Sequence, residues 1–175
     1  PEGFEPPTLG FDTRYEGKYA DIYKNRDNAN EIKYSPIVLE YAKENNVDYF
    51  FVKALIQRES SWDPNAKRYE PKKNDYSYGL TQVLAGTAKS IEGCKSDFNT
   101  NPESNIECGI KYIRHLMNVQ TNKNLKPGLR NIAAGYNGGE DEMEYAQGSE
   151  TQTMWESESL KAHIHEKLWN LNRES

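Results

Sequence analysis

Long apolar runs are missing from this 175-residue chain: nothing approaches the 18 or so apolar residues that a membrane-spanning helix needs. A basic excess is missing as well. With 22 Lys and Arg against 27 Asp and Glu the net charge is −5, whereas a nucleic-acid binder shows a basic patch or stripe. Cysteine is scarce. Cys94 and Cys108 fit no zinc spacing, and two ligands make no zinc site. A bridge between them needs an oxidising compartment and suitable geometry, so a disulfide and two partly buried free thiols both stay open. Only three histidines occur. His163 and His165 would point about 200° apart on a helix and cannot share an ion, and His115 stands alone. Neither a metal nor a cofactor is expected. Strand alternation and internal repeats are also lacking. So is an export signal, and a start at Pro1 rather than Met reads as a mature or excised piece of something longer.

What is present suffices for one domain. The apolar fraction is only 35%, but 12 Tyr and 3 Trp add amphipathic bulk that a disordered chain would lack. Residues 1–33 hold Pro, Gly, Asn and charges without an apolar period and read as an extended arm or linker. Residues 34–175 read as a compact all-α domain. Ser35-Pro36 looks like an N-cap with Pro at the first helical position. Val38, Tyr41 and Ala42 then share a face, and Asn45-Asn46 end the helix. The next begins near Asp48, with Val47, Phe51, Val52, Ala54, Leu55 and Ile56 as a broad stripe and Lys53 and Gln57 opposite. Residues 62–78 read as a polar loop and residues 79–91 as a short helical stretch. Asn101-Pro102-Glu103 starts a helix whose stripe is Ile106, Ile110, Ile113 and Met117, with Gly109 permitting close packing. Leu129, Ile132, Ala133 and Tyr136 mark another, stopped by Gly138-Gly139. Leu160, Ile164, Leu168 and Leu171 mark the last.

One residue breaks the pattern. Glu59 ends an apolar helix, where the partial negative charge of the C-terminus favours Lys or Arg. It falls four residues after Leu55 and seven after Val52, so it projects from the buried face. Burial and the helix end both disfavour the ionised carboxyl. A carboxyl that resists ionisation is what a general acid near neutral pH requires.

Four stretches carry a resemblance: "ESSWDPNA" (59–66), "SYGLTQVL" (77–84), "NPESNIECGIKYI" (101–113) and "AAGYNGG" (133–139). In this order and at these separations the chain resembles the soluble-type lytic transglycosylases of the lysozyme-like superfamily, over roughly residues 35–140. The resemblance implies a lysozyme-like helical fold and cleavage of the β-1,4 bond between N-acetylmuramic acid and N-acetylglucosamine in bacterial peptidoglycan. It implies Glu59 as catalytic acid, then base: it protonates the glycosidic oxygen, then takes the proton of the C6 hydroxyl as a 1,6-anhydro ring closes. Ser60, Gln82, Tyr136 and Asn137 are carried over as sugar-contacting or Glu-positioning residues. Tyr136 also suits a core stripe, and Asn137 also suits a helix stop. Thr81 stands where the family commonly has Met. Tyr69, Tyr76 and Tyr78 offer faces that could stack on sugars along a cleft.

Most glycosidases need a second carboxylate, and Asp63, Glu70 and Asp75 are the candidates here. Asp63 before Pro64 suits a turn, while Glu70 and Asp75 sit among Lys67, Arg68, Lys72 and Lys73. Goose-type lysozymes, hydrolytic cousins, often place an Asp just after the Gly-Leu-Met-Gln-like segment, where this chain has Leu84. That departure favours a mechanism with one carboxylate. A goose-type muramidase that uses water, and a non-catalytic wall-binding or structural module, remain the alternatives. Action at the cell wall or periplasm is expected, with peptidoglycan strands as partner and no nucleic acid. A phage-tail or secretion assembly would suit the arm, and an autolysin with its leader removed is equally compatible. The net charge points to tethering rather than attraction to anionic wall polymers.

Overall fold

A computed structural model describes residues 28–123 and 129–139, together with Met143, Ser159 and Glu166. Among them the order is α1 (Asn28–Glu44), α2 (Tyr49–Ser60), β1 (Lys67–Glu70), β2 (Asp75–Tyr78), β3 (Val83–Leu84), α3 (Ala85–Ser90), α4 (Pro102–Asn122) and α5 (Leu129–Gly138). The helical class is as the sequence implies, with one addition. The expected polar loop forms β1 and β2 of a three-stranded antiparallel sheet, order β1-β2-β3, with Arg68 opposite Ser77 and Tyr69 opposite Tyr76. Strand β3 falls in the stretch 79–91 expected to be helical, of which only Ala85–Ser90 is helix.

Helix α2 is the centre of the domain. Asp48 caps it by accepting from the amides of Phe50 (2.9 Å) and Phe51 (3.2 Å), and every residue from Tyr49 to Ile56 is buried. Lys53, expected on a wet face, is instead fully buried, with Glu31 at 3.0 Å and Glu166 at 2.8 Å. Its ammonium also lies 5.3 Å from the Tyr49 ring centroid and 5.9 Å from that of Trp62. A lysine can be buried in this way only because carboxylates remote in sequence answer its charge.

Helix α1 begins at Asn28, ahead of the expected Ser35 cap, and carries Pro36 in its interior. Pro36 removes one amide donor, and the Ser35 hydroxyl turns back to the Glu31 carbonyl (2.5 Å) rather than capping forward. Burial of Tyr34, Val38 and Ala42 against α2 and α4 outweighs the local penalty. Residues 28–33 therefore belong to a helix, and the rest of the expected arm lies outside the described residues.

Helix α4 starts as expected, with the Asn101 side chain accepting from the Glu103 amide (3.0 Å), and buries Ile106, Ile110 and Ile113. The short α3 packs on β2 and β3, and α4 packs on α5 and touches β3. Cys94 and Cys108 form a disulfide with Cα atoms 4.6 Å apart, tying the α3–α4 connection to α4. No described helix is long and apolar enough to cross a membrane. The helix expected around Leu160–Leu171, with His163 and His165, lies outside the described residues apart from Glu166.

Candidate active site

The site is built from two turns pinned to each other. The first ends α2. Ser61 (φ +50°) and Trp62 (φ +65°) both take left-handed backbone, unusual for residues with a Cβ, and reverse the chain immediately after Glu59-Ser60. Trp62 anchors the reversal in the core at 1% exposure, and its carbonyl accepts from the Asn30 side-chain amide at 2.9 Å. Asp63 accepts from the Asn65 amide (2.9 Å), the turn role expected of it.

The second turn spans residues 79–82. Gly79 has φ +76°, and a Cβ there would sit 2.5 Å from the Asn105 side chain, so only glycine fits. Leu80 is fully buried. Asn105 holds the turn from below: its side-chain oxygen accepts from the Thr81 amide (2.9 Å) and hydroxyl (2.8 Å), and its NH₂ donates to the carbonyls of Tyr78 (2.8 Å) and Phe98 (3.1 Å). Thr81 is completely buried on Gly109, where an added Cβ would approach it to 2.6 Å. Here the residue that replaces the family's common Met faces α4, not a ligand. The Ser60 hydroxyl donates to the Leu80 carbonyl at 2.8 Å and joins the two turns.

A cleft of roughly 540 Å³ opens above them. Glu59 and Gln82 lie on one side, Tyr136, Asn137 and Gly138 of α5 on another, and Arg68, Glu70 and Ser77 of the hairpin on a third. Leu84 lines it too. The cleft thus brings together four of the five residues carried over from the resemblance. Ser60 is not among its lining residues and spends its hydroxyl on the Leu80 carbonyl.

Gln82 and Tyr136 are held by the scaffold. The Gln82 amide donates to the carbonyls of Ala66 (3.0 Å) and Gly79 (2.8 Å), and its oxygen accepts from the Ser77 hydroxyl (2.8 Å). Its backbone is left-handed at φ +52°, strain of the kind that gathers at functional sites. The Tyr136 hydroxyl donates to the Thr81 carbonyl at 2.6 Å, and its ring meets that of Tyr112 at 5.1 Å. Tyr136 is therefore both core and cleft wall. Burial pushes its phenol far above the ordinary range, and the nearby Glu59 adds to the shift.

Burial also raises the pKa of the Glu59 carboxyl, chiefly by desolvation. Arg68 and then Arg58 oppose the shift, and Glu70 reinforces it. Glu70 shares the cleft but is tied to Arg68, whose Nη2 lies 2.6 Å and Nε 2.7 Å from one carboxylate oxygen. Asp75 does not line the cleft, and its carboxylate accepts from the Gly86 amide (2.7 Å). Arg68→Gln should accordingly carry the alkaline limb of the kcat/KM profile to higher pH. A pH series on the variant checks this through the shape of the curve, not its height.

The expected sugar-stacking tyrosines are placed differently. The pleat turns Arg68, Glu70 and Ser77 toward the cleft, and Tyr69, Tyr76 and Tyr78 to the opposite face. There the rings meet one another at 5.2 and 6.4 Å, and Tyr78 meets Phe98 at 5.8 Å. Sequence reading left Arg68, Lys72, Lys73 and Ser77 out of the site. Their signal was an alternation of charge and tyrosine on either side of a Pro-Lys-Lys-Asn turn.

A central buried helix ending in a carboxyl that opens into a cleft, flanked by a small sheet, defines a lysozyme-like domain. The chain belongs to the transglycosylase SLT domain family, whose model matches residues 36–157. The membrane-bound lytic murein transglycosylase F of Aeromonas salmonicida (strain A449) is 32% identical over 85 residues, 49% of this chain. The chain spans 15% of that relative's length.

Proposed function

We propose that this domain is a peptidoglycan lytic transglycosylase with Glu59 as its single acid and base. One observation carries the reading: Glu59, whose burial disfavours ionisation, lines one cleft together with Gln82, Tyr136 and Asn137. Protonated Glu59 delivers its proton to the glycosidic oxygen between N-acetylmuramic acid and N-acetylglucosamine. The substrate's N-acetyl group stabilises the positive charge at C1. The carboxylate left behind takes the proton of the C6 hydroxyl as that oxygen bonds to C1, so no water is consumed and Glu59 ends protonated. The intramolecular nucleophile profits from high effective molarity. Gln82, Tyr136 and Asn137 orient the sugar, and Ser60 fixes the helix end that carries Glu59.

Hydrolysis of the same bond is the second reading, favoured by Glu70 in the cleft. Against it, Arg68 occupies that carboxylate and the wall at Leu84 is apolar. Mass spectrometry of muropeptides released from purified peptidoglycan separates the two. Products ending in 1,6-anhydro sugar are expected, and reducing-end products one water heavier would replace the transglycosylase by a muramidase.

A further inference from the structure

The cleft opposes in sign the chain that carries it. Overall charge is −5, yet Arg68, Lys72 and Lys73 line the cleft against only Glu59 and Glu70. Arg68 and Glu70 answer each other at 2.6 Å. Lys72 and Lys73 then add positive charge on the turn between β1 and β2, both exposed to solvent. That turn is braced: the Lys73 amide donates to the Glu70 carbonyl (3.1 Å), and the Tyr69 hydroxyl donates to the Asn74 side chain (2.6 Å). The Lys73 ammonium reaches the Gly138 carbonyl at 3.4 Å, on the α5 wall. An ammonium has three donors, so this contact leaves two for a ligand at the rim.

Taking peptidoglycan as the substrate, as the reading above does, we infer that Lys72 and Lys73 bind carboxylates carried on the 3-O-lactyl groups of the muramic sugars. The cleft therefore takes a carboxylate-bearing strand in preference to a neutral one. The carboxylates have two sources: the stem peptide, or the lactyl group itself once the peptide is removed.

Binding measured on Glu59→Gln protein, which leaves the strands uncut, tests this without relying on turnover. Three probes of matched length are compared: strands with stem peptides, amidase-stripped strands, and a neutral chitin oligomer. The charged strands are expected to bind about fivefold more tightly than the oligomer, as two exposed charge contacts allow, and added salt should erode the difference. Adding Lys72→Gln and Lys73→Gln should abolish the preference while leaving the oligomer's affinity unchanged. Whichever charged strand binds tighter identifies the carboxylate source. Equal binding of all three probes, or an equal loss on neutral and charged strands in the lysine variant, would overturn the inference. If the preference holds but wild-type protein releases no anhydro products, the transglycosylase reading falls and the carboxylate recognition stands. No binding of any probe removes both.

Discussion

Glu59→Gln should lower the release of 1,6-anhydro muropeptides by roughly 10³-fold or more, since one group supplies both proton transfers, while the protein stays folded. Gln keeps the shape and cannot ionise. Its effect on stability has the opposite sign to its effect on activity. In the folded state desolvation holds the Glu59 pKa above that of an ordinary glutamate carboxyl. Between the unfolded and folded values the native state binds more protons than the unfolded chain, so stability falls as pH rises through that window. The contribution of Glu59 is thus intact at acidic pH and is lost once the folded carboxyl ionises. Gln carries no such penalty. Melting curves of the two proteins should be similar near pH 4 and favour the variant at alkaline pH. A wild type more stable than the variant at high pH would mean that Glu59 is held as a carboxylate and cannot be the acid.

The same burial sets the pH dependence of the reaction. The first step needs the protonated acid, so kcat/KM should fall as pH rises through the folded pKa of Glu59, and the Arg68→Gln limb should lie above that of the wild type. Both trends follow from a carboxyl that resists ionisation at the end of a helix enclosed by the core.

Glu59 was legible because its evidence is local: a helical stripe places it inward, and the Trp-Asp-Pro turn ends the helix. The Asn101 cap and the Gly138-Gly139 stop were legible for the same reason, since capping chemistry is written within a few residues. Lys53 was misread because its partners Glu31 and Glu166 are far away in sequence, and no neighbour announces them. The hairpin was missed for a different reason. Its faces are charged on one side and tyrosine on the other, with no apolar alternation to betray a strand. Losing the hairpin also lost the cationic edge of the cleft, and put the tyrosines on the wrong face. Asn105 was visible within a recognised stretch, yet nothing local shows that it spans three segments.

That spanning role makes Asn105→Ala a severely damaging substitution for the fold. The alanine would strip partners from the Thr81 amide and from the carbonyls of Tyr78 and Phe98, while the Thr81 hydroxyl keeps the Asn105 main-chain carbonyl at 3.1 Å. These groups lie deep: Thr81 is 0% and Asn105 1% exposed. A buried polar group left without a partner costs about 1–3 kcal/mol, so with three such groups the loss should be about 4 kcal/mol even where one finds water. For a chain of this size that lowers Tm by roughly 8–16 °C. The damage is directed at the site, because the freed segment carries the Leu80 carbonyl that holds Ser60 and the Thr81 carbonyl that holds Tyr136. Asn105→Asp keeps the two acceptor contacts with Thr81 and sets a carboxylate oxygen against two carbonyls, so it should rescue neither stability nor activity. Thermal unfolding decides the first point. A muropeptide assay well below the variant's Tm decides the second: a stable variant with full turnover would show that the turn holds Ser60 and Tyr136 without Asn105.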